Sequence, residues 1–190
     1  DLLVEQPTRR RPGGPADLGA TDRFDLTRLG PARTARLAAD ADTWSLVYAG
    51  AGDGVRLLAG RTRRQVRVDG AGRVGAAIAL TLAAAGIGHV QVDDEDPVRP
   101  TDLLPGGHCA EHLGQSRGAG VRARLGAAGE RPRQPDLVVV VRDDLIDIGL
   151  ADDLVRSGRP HLAVVCAEDR VVVGPLVLPG RGPCLRCLDL

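Results

Sequence analysis

The stretch VDGAGRVGAA at residues 68–77 decides how this sequence folds. It continues a short apolar run and carries a G-x-G-x-x-G pattern at Gly70, Gly72 and Gly75. Between a strand and a helix, the first glycine of such a pattern permits a tight turn, the second lets the backbone approach a phosphate, and the third lets the helix pack closely. The pattern therefore predicts a nucleotide-binding turn. The alternative is that the glycines only allow close packing.

Strand and helix patterns alternate around this stretch. The run QVRVDG indicates a strand, the Ala- and Leu-rich run up to Gly86 indicates a helix, and HVQVDDED indicates a second strand. Further patterns predict a helix at about 113–128, a strand from Asp136, a helix at about 147–157, a strand from Pro160, and two shorter strands joined at Gly174 and Pro175. We therefore expect an α/β fold with a doubly wound, Rossmann-like, mostly parallel sheet and a short strand-rich C-terminal end.

Composition divides the chain into three parts. Residues 1–22 mix Pro, Gly and Arg, which predicts a flexible arm. Residues 23–65 predict a small N-terminal appendage, in which a short helix precedes two apolar runs that flank the hairpin-type turn AGDG. Residues 66–190 predict the nucleotide-binding-fold domain. Because position 1 is not Met and Cys187 lies close to the last residue, we expect both ends to be incomplete, including a truncated C-terminus.

Charge and apolar patterning argue against two classes of partner. The 25 basic residues, all of them Arg, balance 25 acidic residues, so the chain presents no large net field to nucleic acid or to an acidic membrane surface. No apolar run reaches the roughly 18 residues that span a bilayer. Four cysteines without a signal-like start are typical of a reducing compartment. We therefore expect a cytoplasmic protein that binds neither nucleic acid nor membrane.

An acidic residue follows the glycines at the spacing of a nucleotide site. Asp94 lies nineteen residues after Gly75, at the end of the second predicted strand, where a carboxylate can accept hydrogen bonds from ribose hydroxyls. The alternative is a solvated acid at a strand end. Two ligand classes fit the pattern to this point: a dinucleotide such as NAD, and ATP in an adenylate-forming site.

A resemblance to one family rests on four segments in a fixed order. They are VRVDGAGRVGAAIALTLAAAGIGHVQVDDEDPVRPTDL, HLGQSR, DLVVVVRDD and GPLVLPGRGPCLRCL, and together they span roughly residues 66–188. In that order they resemble the ThiF-type superfamily of ubiquitin-activating-enzyme-like proteins. The resemblance implies Mg-ATP binding, adenylation of the carboxyl terminus of a small carrier protein or peptide, and a homodimer.

The same resemblance implies roles for individual residues. It places the phosphate loop at Gly70, Gly72 and Gly75, the ribose-binding acid at Asp94, and a magnesium-associated carboxylate at Asp143. A carboxylate at the end of a parallel strand suits a magnesium ion that bridges phosphates. The alternative for Asp143 is an acid that caps the helix beginning near LIDIGL.

Two departures from the family pattern bear on activity. Active members carry an Asn-x-x-Arg-Gln element where this chain has Asp102 followed by Leu-Leu-Pro-Gly, so that Pro105 replaces the phosphate-facing Arg. They also carry a Lys where this chain has Arg117, whose fork binds phosphate but is not equivalent to Lys in a fitted site. Loss of one preorganised transition-state donor costs on the order of 3 kcal/mol. We therefore expect weak or absent adenylation.

The cysteines supply half of a metal site. Cys184 and Cys187 have the spacing of one Cys-x-x-Cys pair, and many relatives bind structural zinc with two such pairs. Since zinc takes four ligands, the pair predicts no complete zinc site in this chain. Cys166 ends an apolar run and is expected in the core, and Cys109 has no second cysteine at metal-binding spacing.

The departures, together with DPVRPTDLLPGG and PCLRCLDL, resemble a narrower group. These are actinobacterial ThiF-like proteins that bind the leader of a precursor peptide in thiazole/oxazole-modified peptide pathways. There a YcaO-type cyclodehydratase uses the ATP, and residues 23–65 would be a remnant of the peptide-binding region or the linker after it. The implied function is presentation of a precursor peptide to that partner. An ATP-dependent adenylyltransferase and an NAD-dependent oxidoreductase stay open as alternatives, so the sequence leaves enzyme activity undecided.

Overall fold

The computed structural model describes residues 31–47, 54–126 and 134–188. The chain forms two compact units, residues 1–59 and residues 60–190. The predicted arm at residues 1–22 lies outside the described residues. Within the described residues, no helix combines the length and apolar character needed to cross a bilayer.

The first unit contains helix α1, Pro31–Val47, and the start of helix α2, Gly54–Thr62. Leu37, Ala41 and Leu58 form its buried core. The predicted hairpin is wrong for the described residues, because both apolar runs are helical. Leu58 of the second run packs with Leu37 and Ala41 of α1 in one buried cluster, and this packing outweighs the weak local strand preference of such short runs. The AGDG turn itself lies at residues 51–54, of which only the last is described.

The second unit alternates strands and helices along most of its length. Its elements are β1 Gln65–Asp69, α3 Arg73–Ala84, β2 His89–Asp93, α4 Arg117–Leu125, β3 Leu137–Asp143, α5 Ile148–Arg156, β4 His161–Cys166 and β5 Val171–Val177. Short 3-10 turns lie at Pro100–Asp102, Ala110–His112 and Leu185–Leu188.

The five strands form one sheet in the order β2-β1-β3-β4-β5. The first four strands in this order are parallel to one another, and β5 pairs with β4 in the antiparallel sense. The two short strands expected around Gly174 and Pro175 form a single strand instead. The pairing of this strand is irregular between Leu162 and Val164 of β4, and this irregularity lets it continue past Gly174.

Apolar side chains cover both faces of the sheet. On one face, valines of β1 to β4 pack against Ala76 and Ala79 of α3 and Val121 of α4. On the other face, Val138 and Val140 pack in a cluster with Ala151 and Leu154 of α5, among others. Helices on both faces of a mostly parallel sheet confirm the doubly wound, Rossmann-like α/β fold expected from the sequence.

Candidate functional site

A crevice of about 540 Å³ opens where the parallel strands end. In doubly wound sheets, ligands bind outside the carboxyl ends of the strands, so this is the expected place for a site. The crevice includes all six residues that the sequence assigned to a nucleotide: Gly70, Gly72, Gly75, Asp94, Arg117 and Asp143. The sequence did not assign Asp69, Arg73, Asp96, Asp102, Arg142 or Cys166, which also line it.

The glycine loop turns sharply between β1 and α3. Gly70 has a φ of 98°, a left-handed conformation that side chains rarely tolerate. A Cβ atom at Gly75 would collide with the carbonyl oxygen of Gly70, so only glycine lets the first turn of α3 lie this close to the loop. The buried His108 holds the loop from the other side, because its Nε2–H donates to the carbonyl oxygen of Ala71 at 2.7 Å.

Asp94 is engaged by backbone groups of the site itself. Its Oδ2 accepts a hydrogen bond from the Ala71 N–H at 2.7 Å, and its Oδ1 accepts one from the Asp96 N–H at 3.0 Å. The carboxylate therefore joins the glycine loop to the end of β2. Each carboxylate oxygen has a second lone pair, so these bonds do not exhaust its capacity to accept hydrogen bonds.

Arg117 at the start of α4 is paired with three carboxylates. Its Nε and Nη2 donate to Oδ2 and Oδ1 of Asp102 at 2.9 and 3.1 Å, a two-pronged ion pair. Its Nη1 lies 3.5 Å from Oδ2 of Asp96 and 3.8 Å from Oδ2 of Asp94. Burial lowers the pKa of Arg117, but the hydrogen bond to Asp102 and the nearby acids outweigh burial and raise it overall. The guanidinium charge is therefore shared among groups of the protein.

A second arginine of the crevice is engaged in the same manner. Arg142, at the end of β3, donates through Nη2 to Oδ1 of Asp69 at 2.8 Å and through Nη1 to the Asp69 carbonyl oxygen at 2.9 Å. Arg73, the first residue of α3, lines the crevice with an exposed side chain. The sequence analysis missed Arg142, although its position at the end of a buried valine strand is the signal that could have found it.

Asp143 lines the crevice at the end of β3. The capping alternative for this residue is wrong, because α5 is capped by Asp147, whose Oδ1 accepts the Leu150 N–H at 3.0 Å. Cys166 ends the neighbouring strand; it is partly buried and packs against the core cluster, close to the core position that the sequence suggested, and it also lines the crevice. Burial, followed by the negative charge of Asp143, raises the pKa of the Cys166 thiol, so this thiol stays protonated at neutral pH.

Two of the three arginines that line the crevice are already engaged and are not free to bind a nucleoside triphosphate. A triphosphate needs cationic groups that are free to bind its oxygens, yet carboxylates bind both Arg117 and Arg142. Because six aspartates and three arginines line the crevice, the net charge of its lining is negative. The charged residues are Asp69, Asp93, Asp94, Asp96, Asp102, Asp143, Arg73, Arg117 and Arg142. The backbone of the glycine loop and the start of α3 has the geometry of an anion-binding site, whereas the side chains around it carry a net negative charge that disfavours an anion.

The cysteine pair lies outside the residues that line the crevice. The Sγ atoms of Cys184 and Cys187 are 3.5 Å apart at the last 3-10 turn. Hydrogen bonds from the Cys187 backbone and thiol lower the pKa of Cys184. Across residues 31–47, 54–126 and 134–188, no cluster of three or more His, Cys, Asp or Glu side chains is arranged to hold a metal ion. The zinc half-site stays a prediction.

Solved structures share this fold. E. coli MccB crystallised with ATP is 21% identical, with a TM-score of 0.66, and the match covers 80% of this chain and 50% of that chain. The microcin C7 biosynthetic enzyme MccB in complex with N-formylated MccA is 20% identical, with a TM-score of 0.64 over 75% of this chain and 47% of that one. PaaA is 16% identical, with a TM-score of 0.67, and the match covers 87% of this chain and 61% of that chain. At these identities the likeness is one of fold, and this chain spans about half the length of MccB.

Family membership follows from the sequence pattern itself. No curated protein matches the chain. The pattern of the ThiF family matches residues 58–178, which is more than half of the 190 residues and includes the glycine loop, the crevice and all five strands. The chain therefore belongs to the ThiF family.

Proposed function

We propose that this chain binds a precursor peptide and presents it to a separate, ATP-using cyclodehydratase, with weak or absent adenylation of its own. The observation that carries the proposal is the pairing of Arg117 with Asp102, Asp96 and Asp94. Adenylation requires cations that neutralise the charge developing between the α- and β-phosphates. In this crevice the arginine at the family's Lys position already has its charge balanced.

A peptide partner is supported by two further observations. The structure of MccB, which shares the fold, has been solved in complex with N-formylated MccA. In this chain an apolar groove of about 390 Å³ adjoins the crevice, and Arg73 and Val74 line both. Its remaining lining is Ala77, Ile78, Thr81, Leu82 and Leu104. An extended peptide can place an apolar side chain in this groove and a carboxylate beside Arg73.

An ATP-dependent adenylyltransferase is the second candidate. It is supported by the glycine loop, by the positions of Asp94 and Asp143 in the crevice, and by the ATP-bound form of MccB. If the chain adenylates, Asp143 is the carboxylate best placed to associate with magnesium. The second candidate also retains the homodimer expected from the family resemblance.

An isotope-exchange assay separates the two functions. The native protein is incubated with ATP, labelled pyrophosphate and candidate precursor peptides, and peptide binding and stimulation of a YcaO-type enzyme are measured in parallel. We expect peptide binding and a rise in partner activity without exchange above background. Robust exchange that is lost in Asp143→Ala would overturn the proposal and establish the adenylyltransferase.

A further inference from the structure

The ion pair between Asp102 and Arg117 lies directly over the glycine loop. A Cβ atom built on Gly72 would be 3.6 Å from Oδ1 of Asp102 and 3.8 Å from Cζ of Arg117, so both groups are in van der Waals range of that position. Gly72 directly precedes α3, whose N-terminus carries unpaired N–H groups and a partial positive charge. A carboxylate of the chain itself therefore stands where an incoming phosphate would approach.

Asp102 is held in this place from several directions. Besides the two bonds to Arg117, its Oδ2 accepts the Arg99 N–H at 2.8 Å, and its side chain is only 6% exposed. Burial alone would raise its pKa, but the hydrogen bonds from Arg117 and Arg99 lower it overall. The carboxylate is therefore ionised at neutral pH and fixed over the loop.

The carboxylates around this ion pair repel phosphate groups, and the repulsion increases with the number of phosphates on the ligand. Asp94 and Asp96 also approach Arg117, so an entering phosphate meets an arginine that is already shared and three carboxylates around it. Like charges at such short range repel strongly where water is partly excluded. The repulsion grows with each phosphate on the ligand and is absent for an uncharged nucleoside.

We propose that Asp102 determines the ligand specificity of the crevice, excluding nucleoside polyphosphates while leaving room for a nucleoside or a nucleoside monophosphate. This inference rests on the proposed function, in which the chain does not turn over ATP itself. It also links two positions at which the chain departs from the family pattern, because an Asp in place of Asn and an Arg in place of Lys form one ion pair. The replacement of the phosphate-facing Arg by Pro105 is a separate change.

Calorimetric titration with adenosine, AMP and ATP, in excess magnesium, tests the proposal on the whole protein. In the native protein we expect affinity not to increase from adenosine to ATP. In Asp102→Asn, an oxygen remains to accept the Arg99 N–H but the charge is gone. We expect ATP to bind about tenfold more tightly than to the native protein, with adenosine changed by less than about twofold. Asp153→Asn, which removes an exposed carboxylate of α5 outside the crevice lining, should leave all three affinities unchanged.

Three results would overturn the inference. They are a native protein that binds ATP at least about tenfold more tightly than adenosine, an Asp102→Asn protein with the same ATP-to-adenosine ratio as the native one, and an Asp102→Asn protein that binds no nucleotide. Circular dichroism checks that each variant is folded. If Asp102→Asn is misfolded, the same titrations are made with Asp102→Ser, which also keeps an oxygen that can accept the Arg99 N–H. Pyrophosphate exchange by the native protein tests the proposed function separately, since it does not depend on the variants.

Discussion

Asp102 and Arg117 are fifteen residues apart in the sequence, yet their side chains form a two-pronged ion pair. The planar fork of Arg matches a carboxylate, whereas the ammonium of Lys does not. Either residue alone would leave a mostly buried charge without its partner, which is costly. The Asp at position 102 and the Arg at position 117 are therefore best understood as one change. Arg117 pairs with a carboxylate of the chain itself and not with a bound anion.

The glycine loop supports a first prediction at this scale. Substitution of Gly75 by Ala places a Cβ atom against the carbonyl oxygen of Gly70, a backbone atom that cannot move without distorting the turn. We expect Gly75→Ala to lower the free energy of unfolding by about 1–3 kcal/mol, the usual cost of overpacking. Urea denaturation followed by circular dichroism measures the change.

Gly72→Ala is the matched control for this prediction. A Cβ atom at Gly72 makes only ordinary contacts, and its φ of −61° suits alanine. The free energy of unfolding should therefore change by less than about 1 kcal/mol. Equal losses in the two variants would show that close packing at Gly75 is not what fixes the loop.

Among the elements, those with strong local patterns were predictable from the sequence. The β1–α3–β2 unit and strands β3 and β4 follow from valine-rich runs and an Ala- and Leu-rich helix between glycines. The helical conformation of residues 44–47 and 54–62 was missed because short apolar runs do not distinguish a helix from a strand. The glycine loop, Asp94 and Asp143, which line the crevice, were also predictable from the sequence. The Asp102–Arg117 and Asp69–Arg142 ion pairs were not, because they join distant segments and leave no periodic signal.

Helix α3 carries a prediction for peptide binding. Ala77 lines the apolar groove beside the crevice. Asp at this position places a carboxylate on that apolar surface and one helical turn from Arg73, where it competes with a peptide carboxylate for the guanidinium. We expect Ala77→Asp to weaken binding of the precursor peptide by tenfold or more, a loss of about 1.4 kcal/mol. Fluorescence anisotropy with a labelled peptide measures this. Ala123→Asp on the exposed face of α4 is the control, and equal loss in both variants would exclude the groove as a peptide site.

On the scale of the whole molecule, the described parts of the two units differ in the size of their buried cores. Among the described residues, the buried apolar cluster of residues 1–59 consists of Leu37, Ala41 and Leu58. Residues 60–190 bury side chains on both faces of a five-stranded sheet. Since burial of apolar surface is the main favourable term in folding, the two units should differ in stability.

The single tryptophan makes this difference measurable. Trp44 lies in α1, within the first unit, whereas most strands and helices that dominate circular dichroism lie in the second. We expect tryptophan fluorescence to report unfolding at a lower urea concentration than circular dichroism, because the first unit has the smaller core among the described residues. Leu58→Ala, at a site with no exposed surface, should lower the fluorescence midpoint further and leave the circular dichroism midpoint nearly unchanged. Val140→Ala in β3 should do the reverse, and coincident midpoints in all three proteins would mean that the chain unfolds as one cooperative body.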